Sequence, residues 1–149
     1  MSNINYSKIK EIKTFCESLT SEPAWREVVE NFVNENTDFT VDNVRFISSD
    51  CIDEIQQDEL AGEEYILGCF NAWFIADCIG IDQDVIDAMQ KVHSYEAVCK
   101  LIISLGKLPT LQSAYASADG YGHHFNHYDF NEEEITVNGV SFYVFDNRS

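Results

Sequence analysis

A mostly α-helical α+β domain, closed at its C-terminal end by a small antiparallel β-hairpin or three-stranded sheet, is the fold this sequence predicts. Two observations predict it. Apolar residues recur at three- and four-residue steps through most of the first 118 positions, and after Gly120 the pattern turns to strand-like runs around Asn138-Gly139. No internal repeat, low-complexity stretch or linker interrupts the chain, so 1–149 reads as one domain with a helical part (1–118) and a β part (119–149).

The elements follow in order. Ile9, Ile12, Phe15, Cys16 and Leu19 form one apolar stripe of a first helix. Ser21, Glu22 and Pro23 suit a helix start, and Trp25, Val28, Val29, Phe32 and Val33 follow as a core-facing set. Residues 36–47 lose the period and read as a loop with a short extended piece. Ser49 is placed to cap a third helix that carries Ile52, Ile55 and Leu60 inward and breaks at Gly62. From Tyr65 to Ile79 the chain is apolar nearly all round, which predicts one central buried helix, Trp73 included, ending at a left-handed Gly80. Asp82 and Ser94 cap two further helices, the second stopping at Gly106, and Pro109 opens the last one. Ile135–Val137, Asn138-Gly139 and Val140–Phe145 predict a hairpin with a type I′ turn, and Phe125–Phe130 a third strand beside it.

Composition excludes several function classes. With 45% hydrophobic and 13% aromatic residues the chain is too apolar for a disordered acidic tail. A net charge of −17 argues against direct binding to nucleic-acid phosphate or an anionic membrane face. No apolar run approaches the ~20 residues of a bilayer span, and the N-terminal dozen residues are polar rather than signal-like. The five cysteines (Cys16, Cys51, Cys69, Cys78, Cys99) are odd in number, form no Cys-x-x-Cys pair and lie in apolar segments. They read as small buried hydrophobes of a protein in a reducing compartment, the cytoplasm.

The acids are unevenly distributed. Residues 27–90 hold sixteen acidic residues and a single basic one, Arg45, and no lysine occurs between Lys13 and Lys91. Asp50, Glu54 and Asp58 are spaced i, i+4, i+8, so on a helix they would line one stripe, each pair repelling by a few tenths of a kcal/mol. Asp53, Glu59, Glu63 and Glu64 thicken that row, and Asp82, Asp84 and Asp87 add a second cluster. A compact chain this long spans roughly 38 Å. Duplex DNA carries about 22 charges over such a span. Carboxylates held on a helical scaffold could therefore occupy a basic nucleic-acid groove; the plainer reading is an acidic face that keeps the protein dispersed.

A second candidate is the segment Asp119–Asp129, with three of the four histidines. On an extended strand His123, His127 and Asp129 would share one side and could ligate zinc or another divalent ion. Phe125 falls on that same side and no second His or Cys cluster completes the shell, so aromatic and imidazole packing around a turn is the leading expectation, with no cofactor. Of the aromatics able to stack on a base, Tyr121 is a candidate and Trp73 is assigned to the core. Nucleophile elbow, phosphate-binding glycine loop, dinucleotide fingerprint and H-E-x-x-H are all missing, which predicts a protein that is not an enzyme.

In size, lack of enzyme motifs, helical pattern and the acidic stretch 27–90, the chain resembles the small acidic counter-defence proteins of phages and plasmids, the anti-restriction and anti-CRISPR DNA mimics. The segment Gly120–Asp129 is also similar to phage-encoded proteins. The resemblance implies a decoy in the host cytoplasm that occupies the nucleic-acid channel of a nuclease, restriction enzyme or CRISPR effector, without touching nucleic acid or membrane itself. Asp50, Asp53, Glu54, Asp58, Glu59, Glu63, Glu64, Asp82, Asp84 and Asp87 are the expected partner-binding residues. The alternatives are a metal-dependent enzyme or metal-binding domain on His123, His127 and Asp129, and a protein-interaction module unrelated to nucleic acid.

Overall fold

The computed structural model describes residues 4–147. Its backbone is mixed α+β and mostly helical, with an antiparallel four-stranded sheet that includes the C-terminal hairpin. The chain divides into two compact units: residues 1–52 with 119–149, and the continuous segment 53–118 between them.

The first unit opens with α1 (Tyr6–Ser18), capped by the Asn5 side chain, which accepts the Lys8 N–H at 3.1 Å. Helix α2 (Trp25–Val33) begins after Pro23 without a side-chain cap of its own; Asp42 instead accepts the Ala24 N–H at 2.9 Å. Strands β1 (Asp38–Val41) and β2 (Val44–Ser48) form a full hairpin where the sequence predicts a loop with a short extended piece. Its turn residues Asp42 and Asn43 both have positive φ (51° and 64°), the type I′ geometry that right-twisted strands demand. The C-terminal hairpin of β3 (Glu133–Val137) and β4 (Val140–Asp146) turns at Asn138-Gly139 as the sequence predicts.

The sheet order is β1-β2-β4-β3, with Phe46 opposite Val144 and Ile47 opposite Tyr143 across the central pair. The third and fourth strands thus come from residues 38–48, and Phe125–Phe130 forms none. Those residues make a short helix α9 (Gly122–Phe125) followed by a closed turn. Alternation places Phe39, Val41, Val44, Phe46, Ile135, Val137, Phe142 and Val144 on one sheet face, packed with Ile12, Cys16, Val28 and Phe32 of α1 and α2. Phe32 sits edge-on to Phe39, Phe46 and Phe142 at 4.9–5.9 Å between ring centroids. On the other face Phe125 packs on Phe145 at 5.1 Å and Tyr121 on Tyr143 at 4.9 Å.

Burial has a titration consequence here. Removal from water, assisted by Glu22 and Glu17, pushes the Cys16 thiol up to about 11. Between the ordinary thiol range and that value the folded chain keeps a proton the unfolded chain has lost, so stability falls as pH rises through this window. Thermal unfolding of the wild type and of Cys16→Ala at pH 8 and pH 10.5 checks this: the wild type should lose more of its midpoint on going alkaline than the variant does.

The second unit is helical: α3 (Ile52–Gly62), α4 (Glu64–Gly68), α5 (Ala72–Ile79), α6 (Gln83–Lys91), α7 (Tyr95–Ser104) and α8 (Leu108–Asp119), the first and last each running one residue past the boundary. Its core joins Leu67, Ile75, Ile79, Ile86, Val98, Cys99, Ile102 and Leu111. The single helix expected over Tyr65–Ile79 is broken in two. Asn71 caps α5 by accepting the Trp73 N–H at 3.2 Å, and the carbonyls freed at the break, Gly68 and Phe70, accept the Gln90 side-chain amide at 2.9 and 2.8 Å. Gly68 lies against the Tyr95 backbone, where no β-carbon fits. Trp73 is 56% exposed rather than buried, because the outer side of so short a helix is left uncovered. Gly80 closes α5 at φ 73° as expected, and Asp82 caps α6 through the Asp84 N–H at 2.8 Å.

Candidate acidic interface

The carboxylates of the acidic stretch sort by what they touch. Arg45, its lone cation, grips Asp38 through two hydrogen bonds of 2.9 and 2.7 Å and lies over the Phe125 ring at 5.1 Å. Asp42 holds the start of α2, and Asp82 holds the start of α6. Asp53 accepts the Gln112 side-chain amide at 2.9 Å, within a group in which Gln112 also donates to Gln56 at 2.7 Å and accepts from Gln57 at 3.2 Å. Asp53 and Asp82 thus have structural work, tying α3 to α8 and starting α6.

Asp50 is not on the third helix. The helix begins at Ile52, because residues 49–51 are used to turn the chain out of β2: the Cys51 N–H reaches the Ser48 carbonyl at 3.1 Å and the Asp50 N–H reaches the Ser48 hydroxyl at 3.2 Å. The expected stripe of three therefore shortens to Glu54 and Asp58, one turn apart on the side of α3 opposite the buried Ile52, Gln56 and Leu60. Glu63 follows between α3 and α4, and Glu64 opens α4. Asp84 is exposed on α6, whereas Asp87, one turn on, is half-buried, and the helix ends in Lys91.

The side chains of Glu54, Asp58, Glu63 and Asp84 are exposed, and among the described residues none has a hydrogen-bond or ion-pair partner. Elsewhere the acids do find cations. Glu11 pairs with Lys8, Glu17 with Lys13 and Glu96 with Lys100, whose ammonium bonds Glu96 at 2.9 Å and holds its carboxyl below the usual range. The structure places the α3 and α6 acids on separate helices; α6 packs on α5 and α7, while α3 is tied to α8.

Sequence periodicity passed over an aromatic cluster that joins Tyr65 of α4 to Tyr95 of α7. Tyr65, 67% exposed, stands edge-on to Tyr95 at 5.1 Å, and the Tyr95 hydroxyl meets His93 Nδ1 at 3.0 Å. A hydrogen bond to the Cys69 thiol, with the Cys69 and Tyr95 charges behind it, pushes the Tyr65 phenol up. The apolar run over Tyr65–Ile79 concealed the group, since a helix buried all round would not show Tyr65 to solvent.

The histidine segment is built differently from the strand expected of it. His123 lies in α9 with its ring on Phe130 (5.0 Å), while His124 is edge-on to Phe125 (4.6 Å). His127 lies beyond the helix and its backbone N–H donates to Asn147 at 2.7 Å. Asp129 accepts from the Asn126 side chain (2.7 Å) and from the Asn131 backbone and side chain (3.1 and 3.0 Å). Helix and turn thus remove the two-residue alternation that would align His123, His127 and Asp129. Among the described residues no group of three or more His, Cys, Asp or Glu is placed to hold a metal ion. Glu132 completes the loop, accepting the Tyr121 and Gly122 N–H groups at 2.9 and 3.1 Å as a cap on α9.

Among the described residues no helix is long and apolar enough to cross a membrane. No protein-family model, curated protein or solved structure matches the chain.

Proposed function

We propose that this protein is a non-enzymatic acidic binder that occupies the basic, nucleic-acid-binding groove of a partner protein. The observation that carries the reading is the set of uncommitted carboxylates. Glu54 and Asp58 on α3, Glu63 beside it and Asp84 on α6 are exposed with no counter-charge among the described residues, while the lone cation of the acidic stretch is engaged with Asp38. A basic groove would supply what the chain itself withholds. Attraction of this kind speeds encounter and is screened within about 10 Å at 0.1 M salt.

The test is affinity capture of proteins from a bacterial lysate on the immobilised full chain. Nucleic-acid-binding proteins should be retained at about 50 mM salt and released by excess duplex DNA or by about 500 mM salt, since phosphate-binding sites are strongly salt-dependent. Retained partners that excess DNA leaves in place would refute a shared groove.

A further inference from the structure

The first unit carries a cleft of about 310 Å³ between the end of α2, the turn after β2 and the tip of the β3–β4 hairpin. That volume sits at the lower end of small-molecule sites. Phe32, Phe142, Val137 and Val140 form its apolar floor, with the Phe32 and Phe142 rings 4.9 Å apart and edge to face. Its rim holds two carboxylates, Glu35 and Asp50, and no lining residue is a cation.

Both rim carboxylates stand on fixed turns. Asp50 is pinned by its N–H to the buried Ser48 hydroxyl (3.2 Å), and the neighbouring Ser49 N–H is tied to the Ser141 carbonyl (2.9 Å). Glu35 closes α2 in the left-handed region at φ 59°, with its N–H on the Phe32 carbonyl at 3.1 Å. Glycine is the favoured residue at such a helix end, and a side chain there is strained. The cleft thus combines an apolar aromatic floor with two carboxylates and no cation in its lining.

We propose that this cleft binds an organic monocation with an apolar body: the body rests on the phenylalanine and valine floor and the charge lies between Glu35 and Asp50. Aromatic faces add to the attraction, as for quaternary and primary ammonium groups generally. The chemistry is shared by a free amine and by a lysine side chain of a partner protein.

The experiment is an NMR titration of the 15N-labelled full chain with three probes: phenethylammonium, its neutral counterpart 2-phenylethanol, and N-acetyl-lysine methylamide. Phenethylammonium should give saturable shifts at Cys51, Asn138 and Val140, binding about fivefold more tightly than the alcohol, with the preference shrinking in high salt. Asp50→Asn and Glu35→Gly should each remove most of that preference. Glu35→Gly should at the same time raise the unfolding midpoint by a few degrees, because it relieves the helix end, so lost binding could not be blamed on a damaged fold. Tighter binding of the lysine derivative assigns the cleft to a partner's side chain, and tighter binding of phenethylammonium to a free amine. Equal affinity for amine and alcohol, no saturable shift with either cation, or unchanged binding in both variants would overturn the proposal.

Discussion

Reversing Glu54, Asp58 and Glu63 together to lysine should abolish capture of a groove-bearing partner, lowering affinity about a hundredfold or more at 0.1 M salt. Each position changes by two charges, so attraction is replaced by repulsion at three points rather than merely lost. Nothing in the fold depends on these carboxylates. They are exposed, and among the described residues they have no partner to lose. The far-ultraviolet circular dichroism and unfolding midpoint should therefore stay within the range of ordinary surface substitutions, about 0.5 kcal/mol. A control trio, Glu30, Glu133 and Glu134 to lysine, makes the same change of net charge at other exposed positions. It should leave most of the capture intact. Equal loss in both trios would mean that net charge, and not this group, attracts the partner. Undiminished capture in the first trio would leave the acids as a solvating surface and nothing more.

Gly68→Ala should be the most damaging single substitution in the second unit. A β-carbon at this position would overlap the Tyr95 carbonyl, carbonyl carbon and α-carbon, which are all backbone. No rotamer change can make room, so α4 and α7 must separate, and with them Leu67, Val98 and Cys99 of the core. Overpacking of this kind costs about 1–3 kcal/mol, and the upper end is expected where the obstacle is rigid. Urea unfolding followed by fluorescence in a Trp25→Phe background measures it, since Trp73 is then the one tryptophan and lies in this unit. Gly62→Ala provides the contrast. Nothing lies within 4 Å of a β-carbon there and φ is ordinary, so the variant should match the wild type or gain up to about 1 kcal/mol. If Gly68→Ala unfolds at the wild-type midpoint, the close crossing of α4 on α7 is wrong.

Much of the fold was legible because periodicity reports burial directly. Ile12 and Cys16 are buried on α1 and Leu19 just after it, Val28 and Phe32 on α2, and Asn138-Gly139 turns as such a pair should. The β1–β2 hairpin was obscured by its turn, Asp42-Asn43, which has type I′ geometry without a glycine to announce it. Phe39, Val41, Val44 and Phe46 alternate inward, but over strands of only four and five residues. The break between α4 and α5 was hidden for another reason. It depends on Gln90, twenty residues away in sequence, to satisfy the carbonyls it exposes. Local pattern carries no trace of such a partner. The same limit applies to the acids. Spacing placed Asp50 on a helix, whereas the Ser48 turn holds it before one. Spacing also could not show that Asp53 would be bound by Gln112 from α8. The histidine segment misled through its assumed geometry: a two-residue period is meaningful only on a strand, and Gly122–Phe125 is a helix.

The strand order carries a consequence for biosynthesis. β4 lies between β2 and β3, yet it is made after both of them, and it must pair with residues 44–48 made about a hundred positions earlier. Until β4 is made, β2 has no partner on the side away from β1, although the intervening helical segment has already been synthesised. Chains stopped before Val140 should therefore self-associate through that edge and need a holding chaperone, whereas chains released after Asp146 should not.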